Sequence, residues 1–492
     1  METEKSVTVK TGKIVNLYIV LIFNVASLYY ENNYANLIEA KAKITQVILV
    51  FIVIFGAVFA LKDKNQWRKQ KFSSLDAAVL AFMASSLVSS YFSQFTSYSI
   101  FGSYGWRVGT FQIILLGLSY FVVSRNFVPK RSVFYISCAG IFVVFTVALL
   151  NGCGIDVFGM HSGLSGSVAI NYLSTIGNIN TFSGFLCLVF FFLVGTYVRY
   201  NEKKIKIICV GLIFLASCCA LLCNSDSFWL GSLFAVAAAG LSIRKSPETI
   251  PAFFETGIVF FAASVVVSVL CFTGVCRTAF NGFTDFYLKY CIWIYCLAAF
   301  AVIRITYVKL ENLIHKRIKL LSNVFFVLLL LFFSLVVIDS ALSFDDSWGT
   351  YRGFIWKNTL DMFGQFNIRS KLLGVGPDCF GIVFNDCFGE QINEIYNMPV
   401  LNAHNEFLQY LVTNGIFGVL SYSAIYFSII YQEIKNQKNG ISDVNLFLPV
   451  CAYLGQALTN NPHMMNYIVF FLFISCMQKK SSAIMKGLVK LW

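Results

Sequence analysis

Long apolar stretches, separated by short polar or basic segments, recur along nearly the whole chain. Examples are the runs at 14–30, 46–61, 133–150 and 323–341, which come close to or exceed the roughly 18 residues that a membrane-spanning helix needs. Because hydrocarbon offers the backbone no hydrogen-bond partners, such runs predict helices. The sequence therefore predicts an all-α membrane protein, a polytopic bundle of about 12–14 transmembrane helices, with about fourteen as the direct count.

The composition supports a membrane protein and argues against a string of soluble domains. Of the 492 residues, 58% are hydrophobic and only 12% are charged, which is far from the balance of a soluble domain. The first apolar stretch follows Lys5, Lys10 and Lys13, and no small-residue cleavage site follows it. We expect a retained helix there and not a signal peptide.

The net charge of +13 raises the question of where the 37 lysines and arginines lie. With the N-terminus in the cytoplasm, all but nine of them fall in predicted inner loops, which is the positive-inside pattern. This pattern favours an even number of spans and both termini on the cytoplasmic side of the membrane, and it removes the reason to expect a nucleic-acid partner. The nine outer cations are Lys41, Lys43, Arg107, Arg277, Lys289, Arg352, Lys357, Arg369 and Lys371.

Four long connections face outward in this topology, at 31–45, 93–108, 151–181 and 342–414. The last is the longest, so we expect the extracytoplasmic chemistry to concentrate there. The predicted domains are residues 1–341, with transmembrane helices one to eleven and short basic cytoplasmic loops, then 342–415, the large extracytoplasmic loop with short helices and the catalytic residues. Residues 416–492 form the C-terminal transmembrane helices and a cytoplasmic tail.

The large loop begins with a predicted amphipathic helix. Apolar residues and Arg352 recur at three- and four-residue spacing, Lys357 and Asp361 form an i, i+4 pair, and Gly364 marks the end. The turn "LLGVGPDCFG" follows and lacks the Gly-Lys-Ser/Thr ending of a nucleotide-binding loop. Cys379 and Cys387 are close enough in sequence to form a disulfide if the compartment is oxidising. No metal site and no cofactor is expected, since CxxC and HExxH motifs are absent from the sequence.

The stretch "NAHNEFLQYLVTNG", residues 402–415, carries the main candidate for chemistry. Asn402 is the predicted N-cap of a helix whose first turn contains His404. The positive end of the helix dipole disfavours protonation there, and a neutral imidazole suits a general base. Asn405 and Gln409 follow along one stripe, and Asn414-Gly415 interrupts the helix before the next span. The alternative is that His404 is a hydrated polar residue at the membrane interface.

The outer arginines are candidates for binding phosphate. Arg107 in "FGSYGWRVG" and Arg352 in "TYRGFIWKN" each lie near a tryptophan, and Arg369 adds a further cation. Guanidinium groups bind phosphate in bidentate fashion, which suits an anionic lipid-linked pyrophosphate. The alternative is contact with ordinary lipid headgroups. In "IGNINTFSGF", Asn178 and Asn180 either bind sugar hydroxyls or cap the following helix, and capping is favoured for Asn180.

Six motifs occur together in an order that resembles the O-antigen ligase and O-antigen polymerase family of polytopic envelope proteins: "GSYGWRVGTF", "GNINTFSGFLCL", "YRGFIWKNTLDMF", "LLGVGPDCFG", "LNAHNEFLQYLVTNGIFGVL" and "YLGQALTNN". The resemblance implies a metal-independent, GT-C-like glycosyltransferase of the bacterial cytoplasmic (inner) membrane that takes its glycan from a polyprenyl-pyrophosphate-linked oligosaccharide at an extracytoplasmic active site. It implies that His404 activates the acceptor hydroxyl and that Arg352 and Arg107 hold the pyrophosphate. Asn405 and Gln409 would orient the histidine or the sugar.

Within this family, the sequence favours a polymerase of surface-polysaccharide repeat units, because that role needs no dedicated acceptor. The alternative is a ligase that moves the glycan to a different acceptor. A lipid-linked oligosaccharide flippase is the alternative of another class, and it would need polar residues distributed through the spans. The spans are nearly free of charge, which favours an enzyme. The expected partners are the lipid-linked donor, a glycan or lipid-linked acceptor, and membrane lipid.

Overall fold

The structure, a computed structural model, describes residues 2–62, 71–276, 278, 280–396, 399–438 and 443–484. Helices dominate, and a two-residue hairpin pairs β1 (Tyr172–Leu173) with β2 (Gly177–Asn178) in antiparallel register. The α-helices are α1 (Glu2–Leu21), α2 (Leu37–Lys62), α3 (Ser74–Phe92), α4 (Thr96–Phe101), α5 (Thr110–Asn126), α6 (Arg131–Gly152), α7 (Gly166–Ala169), α8 (Ile179–Arg199), α9 (Lys203–Cys223), α10 (Asp226–Lys245), α11 (Ile250–Phe272), α12 (Gly282–Lys289), α13 (Ile292–Leu342), α14 (Trp348–Gln365), α15 (Ile368–Leu373), α16 (Phe380–Tyr396), α17 (Glu406–Thr413), α18 (Gly415–Lys438), α19 (Val444–Ala457) and α20 (Met464–Ile484).

The predicted class, an all-α polytopic membrane protein, is confirmed. Within the described residues, nine helices are long and apolar enough to cross a membrane, and three shorter apolar helices accompany them. Because the nine helices are counted by length and composition alone, the expectation of about 12–14 transmembrane helices stays a prediction. The 51 residues of α13 form one continuous helix through the basic stretch that the sequence suggested as a loop between two spans. Lysine and arginine are good helix formers, so a charged stretch between apolar runs does not by itself end a helix.

The centre of the bundle is α8. In its most apolar window, 89% of the residues are buried inside the protein, against 6% for α13. α8 packs against α19, and α19 packs in turn against α10, while α13 lies at the periphery beside α11. A helix enclosed by other helices on all sides holds its two ends in fixed positions, which matters because the candidate site is built at one of those ends.

The connection predicted at 31–45 is shorter than the sequence suggested. α2 begins at Leu37, so Lys41 is a helical residue and not an outer-loop cation. Its side chain is fully buried, and Nζ donates hydrogen bonds to the carbonyl oxygens of Ala26 and Ser27, each at 2.8 Å. These carbonyls end a π-helical turn at Ile22–Ala26. The lysine therefore provides hydrogen-bond donors for two carbonyl oxygens at a distorted helix end. The spacing of residues along the sequence does not predict this role.

The large loop has a hydrophobic core of its own, separate from the core of the bundle. Regular helix in α14 begins only after Tyr351, because Gly349, Thr350 and Tyr351 all have positive φ. The predicted helix starting at Arg352 and ending near Gly364 agrees with this. The predicted pair of Lys357 with Asp361 is wrong, since Lys357 Nζ lies 3.6 Å from Asp346 instead. The core comprises Phe354, Ile355, Met362, Phe380, Phe384, Ile392, Val400, Ala403 and Val412.

The two cysteines of the large loop do not form a disulfide. Cys379 is buried just before α16 and Cys387 is exposed within it, and both are free thiols. Eight residues of mostly helical chain advance by about 12 Å, whereas the Cα atoms of a disulfide lie within about 7 Å. Proximity in sequence suggested the pair, and the helix between the two residues separates them.

Candidate functional site

The turn that precedes α17 carries the candidate histidine. His404 lies before the helix, in left-handed backbone conformation with φ of 48°. The N-cap is Asn405, whose Oδ1 accepts from the backbone N–H groups of Phe407 and Leu408 at 2.9 and 3.1 Å. The predicted N-cap at Asn402 was wrong, because two neighbouring asparagines compete for one cap and only tertiary contacts choose between them. Asn405 Nδ2 also donates to the carbonyl of Leu458 at 2.8 Å, which ties the cap to the end of α19.

The residue before the histidine is fixed from two directions. The Ala403 N–H donates to Gln409 Oε1 at 2.9 Å, and its carbonyl accepts from Trp356 Nε1 at 3.0 Å. A non-glycine residue with positive φ is uncommon and needs surroundings that over-determine it. The contacts of Ala403 and Asn405 supply that constraint on both sides of His404, so Gln409 positions the backbone of the turn.

His404 is half-buried, in an environment that keeps its ring neutral. Loss of hydration and, to a lesser extent, the positive charge of Arg352 together lower the pKa of His404 to about 3. Arg352 lies one helical turn before Trp356 on α14, and its Nη1 donates to the Gly349 carbonyl at 2.9 Å. The Trp356 contact with Ala403 therefore brings this turn of α14 to the histidine turn. The sequence suggested a neutral ring because of the helix dipole. Here, burial and a neighbouring cation have that effect instead.

A second group of polar residues faces the histidine from the connection between α19 and α20. Asn461 Nδ2 lies 3.4 Å from His404 Nδ1. Two residues later, His463 is buried, its pKa is lowered to about 3 by burial and by the charge of Lys41, and its ring meets the Trp106 ring edge-on at 6.1 Å. The motif "YLGQALTNN" pointed to this connection, but neither Asn461 nor His463 was expected to be part of the site. The sequence did carry a signal for this part of the site, since two asparagines and a histidine follow directly after an apolar helix.

Arg107 is engaged by a carboxylate. Its Nε donates to Glu39 Oε1 at 2.7 Å, and Glu39 Oε2 accepts from the Gly105 N–H at 2.9 Å. Glu39 is only 1% exposed, and Lys43 Nζ lies 3.7 Å from the same carboxylate. The predicted phosphate-binding arginine therefore has much of its charge offset within the protein. Glu39 lies in the first turn of α2, far from Arg107 in sequence, and was not expected.

Asp378 fastens the Arg107 loop to the large loop. Its Oδ2 accepts from the Ser103 N–H at 2.6 Å and from the Val108 N–H at 3.1 Å. Burial raises the pKa of Asp378 to about 6, and these hydrogen bonds act in the opposite direction. A Cβ on Gly102 would lie 2.9 Å from this carboxylate and 2.5 Å from the Arg107 Cα, so only glycine fits there. Two of the sequence motifs thus meet as one unit.

The turn of "LLGVGPDCFG" also joins the histidine helix. The Val375 and Gly376 N–H groups donate to the carbonyls of Val412 and Thr413 at 3.0 and 2.9 Å. Gly415, with φ of 70°, lies so close to Leu372 that a Cβ would approach its carbonyl oxygen to 2.3 Å. The predicted interruption at Asn414-Gly415 is confirmed, since α17 ends at Thr413 and α18 begins at Gly415.

Directly after the N-cap, Glu406 is fully buried inside a group of tyrosines that we call the tyrosine cage: Tyr422 on α18, Tyr453 on α19 and Tyr467 on α20. Their hydroxyls all donate to the Glu406 carboxylate, that of Tyr453 at 2.8 Å and that of Tyr467 at 2.9 Å. Burial raises the pKa of Glu406 to about 7, and the three hydroxyls act to lower it. One carboxylate thereby ties α17 to three apolar helices of the bundle, and so anchors the turn of His404.

The remaining predicted site residues lie elsewhere. Asn178 is the N-cap of α8, with its Oδ1 accepting from the Asn180 N–H at 2.9 Å, so the cap predicted at Asn180 was wrong. The helix begins one residue after Asn178, which gives that side chain the capping position. The guanidinium of Arg369 lies over the Phe92 ring at 5.9 Å. Arg277 is outside the described residues.

Asn180 and the α19–α20 connection are nevertheless in contact. Asn460 Nδ2 donates to the Asn180 carbonyl at 3.3 Å, and Asn180 Oδ1 accepts from Ser225 at 3.3 Å. The first turn of α8, the start of α10 and residues 460–463 therefore surround one polar region beside His404. Within the described part of the chain, no group of three or more His, Cys, Asp or Glu residues is arranged to hold a metal ion.

The turn of His404, the two loop arginines and the connection at 458–463 were compared with known protein families. Residues 211–423 match the O-antigen ligase family. The O-antigen ligase match runs from α9 into α18 and includes Arg352, His404 and Gln409, whereas Arg107 and Asn461 lie outside it. It confirms the resemblance predicted from the sequence and supports, at a general level, a membrane protein that ligates or polymerises glycans. No curated protein matches the chain.

Proposed function

We propose that this protein is a glycosyltransferase of the membrane that transfers or polymerises glycan from a polyprenyl-pyrophosphate-linked donor, at the end of the bundle that carries His404. The observation that supports it best is the environment of His404, a half-buried imidazole that is neutral near pH 7 and feels the positive charge of Arg352. The negative charge of a bound pyrophosphate would raise the low pKa of this ring toward the range that a general base needs. A guanidinium beside it is suited to a phosphate leaving group.

In the proposed reaction, His404 takes the proton of an acceptor sugar hydroxyl. The hydroxyl oxygen forms a bond to the anomeric carbon of the donor sugar while the bond from that carbon to the pyrophosphate oxygen breaks. A single displacement of this kind inverts the anomeric configuration. Arg352 stabilises the negative charge that grows on the departing pyrophosphate, which is the type of interaction that contributes most in such sites. Arg107 contributes less, because Glu39 offsets its charge.

Asn461 sets the tautomer of the base in this mechanism. To accept a proton at Nε2, His404 must carry its own ring proton on Nδ1. The amide of Asn461 faces Nδ1 at 3.4 Å, and rotation of the amide by half a turn presents Oδ1 as the acceptor for that proton. Asn461 is thus a positioning residue for the histidine, and the nitrogen opposite to it reacts.

The substitution His404→Asn tests the function, because asparagine tolerates the left-handed backbone of this turn and cannot act as a base at neutral pH. We expect transfer of glycan from a purified lipid-linked donor to be abolished, while membrane insertion and unfolding temperature stay near those of the wild type. His315→Ala, which removes a histidine from α13, is the matched control and should transfer normally. Unchanged glycan yield from His404→Asn would remove the base from the mechanism.

The same assay separates a polymerase from a ligase. With the lipid-linked donor as the sole glycan, a polymerase lengthens the lipid-linked product, and we expect this result. Transfer that begins only when a different acceptor lipid or glycan is added would identify a ligase. The absence of product in both arms, with lipid-linked glycan crossing sealed vesicles instead, would favour a flippase.

A further inference from the structure

A groove with apolar walls lies between α1, α6, α8 and α20. It includes about 1010 Å³ of space, counting the space at its open mouth. Its walls include Ile19, Phe134, Ile141, Phe192 and Phe473, which belong to all four helices. Since α6 and α8 are long and apolar enough to cross a membrane, hydrocarbon chains are the abundant material that matches an apolar recess beside them.

Two hydroxyl groups interrupt these walls. Ser137 on α6 and Thr196 on α8 line the groove and are 6% and 3% exposed. Serine and threonine within helices often bond back to a carbonyl one turn earlier, but neither hydroxyl has a partner among the described residues. A buried hydroxyl without a partner costs about 1–3 kcal/mol. These two side chains therefore favour an occupant that has hydrogen-bond acceptors at their depth.

The mouth of the groove is basic. Lys130 and Arg131 line it together with Glu202, and Arg131 Nη2 lies 2.5 Å from Glu202 Oε1. Lys130 is exposed, and no carboxylate lies within salt-bridge distance of it among the described residues. The N-terminus of α6 begins at the same point, and its positive dipole end adds to the attraction for an anion.

The spacing of these groups matches the build of a phospholipid. From Arg131 to Ser137, α6 rises by about 9 Å, so the hydroxyls lie below the cations and above the apolar depth of the groove. A glycerophospholipid carries its groups in that order, with phosphate at the surface, ester carbonyls beneath it, and acyl chains deeper. A polyprenyl phosphate has no ester carbonyls for Ser137 and Thr196.

The groove is distinct from the site at His404. α8 begins beside Asn460 and ends near the groove, where Tyr200 forms part of the lining. The 21 residues of α8 span about 30 Å. A lipid in the groove would therefore occupy the opposite end of the bundle and would not compete with a donor bound near His404.

We propose that this groove binds an anionic glycerophospholipid of the surrounding membrane. Lys130 and the N-terminus of α6 bind the phosphate, Ser137 and Thr196 donate to the ester carbonyls, and the acyl chains pack between α1, α6, α8 and α20. Basic recesses between transmembrane helices are suited to such headgroups. The site does not depend on the glycosyltransferase reaction.

Native mass spectrometry of the full chain in detergent, titrated with phosphatidylglycerol or phosphatidylcholine, tests the site. We expect tighter binding of phosphatidylglycerol, and a loss of about tenfold in its affinity in Lys130→Glu. Lys204→Glu reverses the charge of an exposed lysine on α9 that does not line the groove, and should bind like the wild type. Equal binding of the two lipids by the wild type, or equal losses in both variants, would overturn the proposal.

The hydroxyls of Ser137 and Thr196 test whether the bound lipid is an ester-linked phospholipid or a polyprenyl phosphate. The double substitution Ser137→Ala with Thr196→Val keeps the shape of the walls and should weaken binding of ester-linked phosphatidylglycerol several-fold. Its ether-linked analogue, which lacks the carbonyls, should bind the wild type and the double variant alike. If polyprenyl phosphate binds the wild type as tightly as phosphatidylglycerol does, the groove is an isoprenoid site and the proposal is wrong.

Discussion

Two turns of this protein, at 402–406 and at 102–108, are built alike and differ in one respect. Each carries a predicted site residue in left-handed conformation, His404 with φ of 48° and Arg107 with φ of 49°. Each is fixed by a nearly or fully buried glutamate. Glu406 accepts hydrogen bonds from three tyrosines, whereas Glu39 takes the site residue Arg107 as its own partner.

The difference concerns which group the carboxylate uses as its partner. In the first turn, the neutral tyrosine cage satisfies Glu406, so the His404 ring takes no part in that anchor. In the second turn, the cation and its anchor are the same ion pair, and the charge of Arg107 is partly offset before any substrate arrives. We infer that Arg352, whose charge acts directly on His404, is the more important cation in the proposed reaction.

The largest difference between the two turns should appear when each arginine is exchanged for lysine. Arg352→Lys replaces a bidentate fork by a point charge, and we expect kcat to fall by about 100-fold, since loss of one donor to a developing oxyanion costs that order. Arg107→Lys should lower kcat by less than about tenfold, because a lysine can still pair with Glu39. Glycan transfer under donor saturation measures both. Equal losses would erase the distinction between the two turns.

The next effect concerns the tyrosine cage. Glu406→Leu leaves three buried hydroxyls without their acceptor, at about 1–3 kcal/mol each, and should lower the unfolding temperature in detergent and the rate of transfer together. Tyr426→Phe is the matched control. The Tyr426 hydroxyl lies 3.1 Å from that of Tyr422 and makes no hydrogen bond to Glu406, so its loss should matter little. Equal destabilisation by the two substitutions would mean that the carboxylate is not the anchor.

A smaller effect is expected when Glu39 loses its charge. Glu39→Gln keeps an acceptor for the Gly105 N–H but no longer offsets the charge of Arg107. The freed guanidinium should bind the donor pyrophosphate better, so KM for the lipid-linked donor should fall several-fold with little change in kcat. Steady-state kinetics at varied donor concentration measure this. A raised donor KM would mean that the ion pair positions Arg107 for binding instead of withholding its charge.

The smallest effect is the pH dependence of the histidine. Because the pKa of His404 is lowered from 6.5 to about 3, the neutral form persists, and kcat/KM should show no inflection near pH 6.5. The lowered pKa of His404 also makes the free energy of unfolding depend on pH. The stability of the fold is full above pH 6.5 and decreases as the pH falls toward 3, because the unfolded chain then binds a proton that the folded protein does not. Glu406, with its pKa raised to about 7, is the other group that titrates nearby. An inflection near pH 6.5 that persists in Glu406→Gln would contradict the neutral histidine.

Local patterns along the chain predicted much of the fold. The apolar runs marked most long helices, and the helix from Arg352 to about Gly364 and the break at Asn414-Gly415 followed from periodicity and turn residues. These features depend on residues within one or two turns of each other. The errors arose where neighbouring residues offered equal local choices, as with Asn402 and Asn405 as N-caps, or where a basic stretch continued as helix in α13.

The sequence by itself determined that the chain forms apolar helices, that a histidine with amides precedes one of them, and that the ordered motifs resemble a glycan-transferring family. Only the tertiary structure decided that Glu39 pairs with Arg107, that Asn461 faces His404, and that Glu406 lies among tyrosines of three helices. The physical reason is that buried polar groups must find partners, and helix packing brings those partners from distant parts of the chain, where sequence spacing carries no record of the contact.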